Sequence, residues 1–194
     1  KTSVPVTKVW NDANDQDGKR PNDVTVKLLA DGVDTGKTLI LSEGNNWTGV
    51  FADLDKFAAG TEIVYTIEEV AVDGYTTAIT GNQADGYTIT NSYTPETTVV
   101  SGSKTWVDNN NQDGKRPNAI TINLLANGQV IRTISVTAEN GWAWSFKDLP
   151  KYENKGQLIT YSITEGAVEN YTTEYDGFNV TNTHAPEKTS VTVS

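Results

Sequence analysis

Short runs of alternating apolar and polar residues, broken by Gly, Asn, Asp and Pro, fill this chain, and no stretch sustains a helical period. Val24, Val26 and Leu28 alternate with polar neighbours, as do Ile120, Ile122 and Leu124. Successive side chains of a strand point to opposite faces. Val4, Val6, Lys8 and Trp10 therefore share one face of the first run. Ile63, Tyr65, Ile67 and Glu69 share a face of a middle run, and Tyr87, Ile89, Asn91 and Tyr93 share one of a late run. The one segment that predicts a helical turn is Ala52–Phe57, with its counterpart Lys147–Tyr152.

The same pattern occurs twice. Lys8-Val9-Trp10 returns as Lys104-Thr105-Trp106, an offset of 96 positions. Asp15 through Asn22 returns as Asn111 through Asn118 with one change, and Thr25–Gly32 matches Thr121–Gly128. Ile63–Glu69 matches Ile159–Glu165 at the same offset. Tyr87–Glu96 matches Phe178–Glu187 at an offset of 91, so the first copy is five residues longer, all within Ala78–Gly86. That stretch is rich in Gly, Asn and Asp and reads as a longer surface turn. A fixed period of this size marks tandem modules. Residues 1–95 and 96–187 are expected to form two modules. Residues 188–194 repeat the opening Lys-Thr-Ser-Val and read as the start of a further copy in a longer array. About 95 residues with about seven alternating runs suit an all-β, immunoglobulin-like sandwich.

Composition narrows the function. The net charge of −10 argues against nucleic acid as a partner, since phosphate contacts need clustered Lys and Arg. No apolar run approaches the roughly 20 residues of a spanning helix, so no membrane role is expected. The chain holds no Cys, which removes disulfides and thiolate metal sites. It also holds no Met, even at position 1, as expected of a fragment or a mature segment. An extracellular protein with nothing easily oxidised fits that composition, and so does chance.

Each apolar face carries one polar residue: Lys8, Glu69 and Asn91 in the first module, and Lys104, Glu165 and Asn182 in the second. A buried Lys or Glu is rare unless paired, so the three are expected to meet. Two readings follow. One is a buried Lys–Glu ion pair whose hydrogen bonds the Asn completes, which contributes little net stability. The other is an autocatalytic amide crosslink. Burial favours a neutral, nucleophilic Lys amine, Asn offers a carboxamide that can release ammonia, and a protonated Glu can polarise its carbonyl and relay protons.

The segments K-x-W, D-G-K-R-P, N-L-L-A-N-G, W…F-x-D-L, Y-x-I-x-E and T-N-x-[YH] resemble the B-type repeat of Gram-positive collagen adhesins, the Cna B-type family, over both modules almost end to end. That resemblance implies an inverse immunoglobulin-like sandwich with an internal isopeptide bond from a first-strand Lys to a last-strand Asn, assisted by an acidic residue. On this chain the bonds would join Lys8 to Asn91 with Glu69 assisting, and Lys104 to Asn182 with Glu165 assisting. Glu68 neighbours Glu69, but alternation turns it outward. The resemblance further implies a stalk on an extracellular, cell-wall-anchored protein, anchored outside residues 1–194. Its partners would be neighbouring repeats and an adhesive head in the same chain. No cofactor, no turnover beyond a single self-modification and a monomeric state are expected. A pilin subunit and a matrix-ligand-binding module are the alternatives.

Other features carry less. Asn11–Gly18 has the look of a calcium loop, but Ala13 and Val24 occupy positions where an EF-hand needs acids, so a polar turn fixed by Gly18 and Pro21 is expected. The lone His184 replaces Tyr93 of the first copy and is expected to loosen packing near the second bond. Four Trp recur at equivalent positions and read as core, whereas Trp144 has Gly49 as its counterpart and is the candidate for an exposed aromatic.

Overall fold

In the first strand, β1 (Thr2–Asn11), Val4, Val6 and Lys8 are buried and the residues between them face water. This is the alternation that the sequence displays. The computed structural model describes residues 1–194 and holds two compact units, one made of Lys1–Pro95 and Tyr152–Gln157 and the other of Glu96–Lys151 and Leu158–Ser194.

The first unit continues through β2 (Asp23–Ala30), β3 (Val33–Ser42), β4 (Thr48–Leu54), the short hairpin β5 (Phe57–Ala58) and β6 (Thr61–Glu62), β7 (Tyr65–Glu69), β8 (Thr76–Asn82) and β9 (Gly86–Ser92). Seven principal strands form two sheets, ordered β4-β1-β9-β8 and β3-β2-β7. Val4, Val6, Val26, Leu28, Leu41 and Ile89 fill the space between the sheets, each at most 1 % exposed. The first and last strands, β1 and β9, lie side by side and parallel, with Lys8 beside Ile89 and Trp10 beside Asn91.

The second copy of the sequence repeat follows the same plan with β10 (Thr97–Val107), β11 (Ala119–Ala126), β12 (Gln129–Thr137), β13 (Ala143–Pro150), β14 (Tyr152–Glu153), β15 (Gln157–Leu158), β16 (Tyr161–Glu165), β17 (Thr172–Asp176) and β18 (Asn179–Thr183). Its sheets are β13-β10-β18-β17 and β12-β11-β16. Again the first and last strands of the copy, β10 and β18, pair in parallel, Lys104 beside Val180 and Trp106 beside Asn182. The chain is thus all-β, two tandem inverse immunoglobulin-like sandwiches. No helix is long and apolar enough to cross a membrane.

Three local expectations change. Ala52–Phe57 and Lys147–Tyr152 are not helical turns: β4 and β13 end within them, each with a bulge against β1 or β10. Asp53 and Asp148 take positive φ there (54° each), a left-handed residue that lets a strand absorb one extra position. The single helical turns are 3-10 and lie earlier, at Glu43–Asn45 and Ala138–Asn140. The five extra residues of the first copy lengthen a ladder more than a turn. β8 pairs with β9 from Thr76–Ser92 out to Asn82–Gly86, while β17 and β18 pair only from Thr172–Thr183 to Asp176–Asn179. Trp144 is not exposed but buried at 4 %, in the second unit's core.

Candidate crosslinking site

Period-2 burial carries Lys8 inward on β1, Glu69 inward at the end of β7 and Asn91 inward on β9. The predicted Lys and Glu meet in each unit, Asn182 joins the second pair, and Asn91 is buried on β9, the strand beside that of Lys8. The side chains of Lys8 and Glu69 are 0 % and 1 % exposed, and Asn91 is fully buried. Lys8 Nζ lies 2.7 Å from Glu69 Oε1, at angles outside those of a hydrogen bond. Both polar atoms of the Asn91 carboxamide are buried without a hydrogen-bond partner, an arrangement that ordinarily costs about 1–3 kcal/mol per group. Glu68 faces outward, pairing with Lys27 across β2 and β7.

In the second unit Lys104 Nζ donates a short hydrogen bond to Glu165 Oε1, and Asn182 Nδ2 donates to the same oxygen at 3.2 Å. Amine and carboxamide therefore converge on one carboxyl oxygen. Burial pushes the amines of Lys8 and Lys104 below their ordinary pKa, against the opposing pull of the glutamates. That favours the neutral nucleophile. Trp10 and Trp106 roof the amines, with each Nζ 4.5 Å from its indole centroid.

Two sets of neighbours escaped the sequence reading. Thr77 Oγ1 donates to Glu69 Oε2 at 3.1 Å, and Thr173 Oγ1 donates to Glu165 Oε2 at 3.2 Å. The recurrence of Tyr75-Thr76-Thr77 as Tyr171-Thr172-Thr173 was a visible sign. The second set holds the roofing Trp in place. Arg20 grips the buried Asp12 with Nε at 3.0 Å and Nη2 at 2.7 Å, and Tyr75 OH donates to Asp12 at 2.8 Å. The Arg20 guanidinium and the Tyr75 ring both pack on Trp10, the ring edge-on with centroids 5.1 Å apart. Asp108, Arg116, Tyr171 and Trp106 repeat this clasp.

The clasp also accounts for the acidic loop. Asp12 is spent on Arg20 and Tyr75, Asp15 Oδ1 accepts from Arg20 N at 2.9 Å, and Asp17 Oδ2 accepts from Tyr93 OH at 2.9 Å. His184 does not loosen the second unit. It stacks on Tyr171 with centroids 5.4 Å apart, as Tyr93 does on Tyr75 at 5.5 Å, and meets Asp113 at 2.9 Å, the partner equivalent to Asp17.

The chain matches the family described as the Cna protein B-type domain over residues 4–92 and 100–183. It is 50 % identical over all its 194 residues to a collagen adhesin of Staphylococcus aureus, and it spans 16 % of that protein's length. Among solved structures it is similar to the crystal structure of two B repeat units (B1B2) of the collagen binding protein of Staphylococcus aureus. The TM-score is 0.88 at 50 % identity, with 95 % of this chain and 50 % of that one covered. The two sandwiches coincide with the two matched segments, and the chain belongs to the Cna protein B-type domain family.

Proposed function

We infer that this chain is a stalk segment of a bacterial surface adhesin, each unit of which locks itself with one Lys–Asn isopeptide bond. The observation that carries this reading is the triad: an amine, a carboxyl and an otherwise unsatisfied carboxamide, buried together on the first, middle and last long strands of both units. Glu69 takes a proton from Lys8 Nζ, which frees the amine to attack Asn91 Cγ. With the carboxamide turned so that Oδ1 meets the protonated carboxyl, that carboxyl stabilises the tetrahedral oxygen. The Cγ–Nδ2 bond then breaks, Nδ2 leaves as ammonia with the proton relayed from Nζ, and the Nζ–Cγ amide remains. Lys104, Glu165 and Asn182 do the same in the second unit. A dry core and fixed geometry replace an external catalyst.

The mechanical consequence follows from the parallel pairing of β1 with β9 and of β10 with β18. Tension entering a unit at its first strand and leaving at its last would pass through the amide, and the residues between would carry none of it. Such a segment would serve an extracellular protein of the Gram-positive cell wall by holding an adhesive head clear of the surface. Neighbouring repeats in the same chain are its partners.

Intact mass of the denatured protein, beside Lys8→Ala and Lys104→Ala variants, tests the reading. The expected result is a deficit of one ammonia per unit in the parent and the return of one in each variant. A full unmodified mass in the parent would sink it.

A further inference from the structure

Thr77 and Thr173 occupy a position that neither the triad nor the fold requires. Glu69 ends β7, an edge of the three-stranded sheet, and Thr77 lies on β8, an edge of the four-stranded one. Their hydrogen bond therefore bridges the two sheets at the open side of the sandwich, beside the reacting groups. Thr77 stands directly opposite Asn91 in the β8–β9 ladder, and Thr173 directly opposite Asn182 in the β17–β18 ladder. Both threonines are solvent-exposed, while the carboxyl side chains they touch are 1 % exposed. The hydroxyl is thus a group at the boundary between the carboxyl and water.

That placement divides the work of the two carboxyl oxygens. Oε1 faces the lysine amine in both units and, in the second, the carboxamide as well. Oε2 is held by the threonine hydroxyl. A carboxyl free to rotate would present either oxygen to the amine and would exchange its threonine partner for water. A hydroxyl can donate to an ionised carboxylate and accept from a carboxylic O–H, so one threonine can hold Oε2 through both protonation states of the relay. We propose that Thr77 and Thr173 are positioning residues for the crosslinking reaction, fixing the glutamate so that Oε1 alone carries the proton between lysine and asparagine. This role rests on the isopeptide reading of the triads. No bond to either threonine is made or broken, and the reaction still converts amine and carboxamide to amide and ammonia.

The test follows crosslink formation in newly synthesised full-length chain, sampled over time, denatured, digested and quantified by mass spectrometry of the joined Lys–Asn peptides of each unit. Thr77→Val keeps the shape and removes the hydroxyl, and Thr77→Ser keeps the hydroxyl and removes a methyl. The valine variant is expected to form the first unit's bond about tenfold more slowly, the scale of one lost hydrogen bond to a charged group. The serine variant is expected to restore the rate, and the second unit serves as an internal control. Thr173→Val and Thr173→Ser make the same comparison with the units exchanged, which keeps the proposal testable if one valine variant misfolds. Valine variants that crosslink at the parent rate would overturn the positioning role, as would serine variants as slow as valine. A parent chain with no joined peptides would instead overturn the crosslink itself.

Discussion

Gly102 lies opposite Trp144 across β10 and β13, while the equivalent positions of the first unit hold Val6 opposite Gly49. Large and small residues have exchanged places across one strand pair, and each unit keeps a filled core. A Cβ on Gly102 would come within 2.8 Å of Trp144 Cζ2 and 1.8 Å of the Phe178 carbonyl oxygen. A Cβ on Gly49 would meet Leu41 Cδ2 at 2.9 Å. Neither glycine tolerates a side chain while its neighbours stay in place.

A double-mutant cycle in the second unit measures this coupling. Trp144→Ala is expected to cost about 3–5 kcal/mol through the cavity it leaves, and Gly102→Ala about 1–3 kcal/mol through overpacking. Together they should cost less than their sum by at least about 0.5 kcal/mol, because the indole that obstructs the new methyl is gone. The Phe178 carbonyl remains, so the rescue stays partial. Strict additivity in urea denaturation would show that the two residues do not share the space.

This exchange marks where the sequence stopped being legible. Period-2 alternation placed Lys8, Glu69 and Asn91 on inward faces, and the structure puts them there because one residue of register would turn every side chain of a strand around. The burial of Trp144 is not legible in the sequence because its environment depends on the residue across the strand pair, which alternation within one strand does not report. The bulges at Asp53 and Asp148 were hidden for a related reason: an Asp in left-handed conformation has no hydrophobic signature. Thr77 looked like any exposed strand residue, and only its cross-strand register with Asn91 gives it a role.

Removing the crosslink and removing the ion pair should have different costs. Asn91→Ala deletes the acceptor of the bond but leaves Lys8 paired with Glu69. It is expected to cost about 4–5 kcal/mol, the loop-closure value for a crosslink that spans nearly the whole unit. Lys8→Ala loses the crosslink and also strands a buried carboxyl, which by itself costs about 3–5 kcal/mol when the partner of a buried pair is removed. The first unit should therefore unfold at lower urea in Lys8→Ala than in Asn91→Ala. If Asn91→Ala unfolds at the parent's urea midpoint, the crosslink contributes nothing to stability.

The clasp around Trp10 predicts an acid-sensitive element. Burial alone would raise the pKa of Asp12, but Arg20, the Asp15 N–H and Tyr75 together hold it below the usual carboxylate range. In the second unit Arg116 leads the same effect on Asp108, and burial followed by the bond to Asp108 pushes the Tyr171 phenol up to about 12. A carboxyl depressed in the folded state contributes stability above its unfolded pKa of about 3.9 and loses it as pH falls through the folded value. Arg20→Lys gives up the two-pronged grip. It should destabilise the first unit at neutral pH and move its acid unfolding to higher pH, and acid titrations of parent and variant followed by Trp fluorescence would measure the shift. An unchanged acid midpoint would mean that Arg20 does not hold Asp12 ionised.

His184 gives the second unit a pH response that the first lacks. Its Nε2 lies 2.9 Å from Asp113 Oδ2 and its Nδ1 lies 2.8 Å from the Asn170 carbonyl oxygen, so both ring nitrogens face acceptors. Only the imidazolium can donate to both. The Asp113 carboxylate, followed by the Asn170 carbonyl, raises the His184 pKa above its ordinary value, and Glu187 nearby adds in the same direction. A group whose pKa is raised on folding contributes stability that is complete below its unfolded value, about 6.5, and is lost as pH rises through the folded value. The second unit should therefore melt at higher temperature at pH about 5.5 than at pH about 8.5. In the first unit Tyr93 takes the place of the imidazole and donates its hydroxyl to Asp17, so its melting should not follow the same slope. His184→Tyr should flatten the response of the second unit, and calorimetry at the two pH values tests this directly. A slope that survives the substitution would assign the effect to groups other than the imidazole.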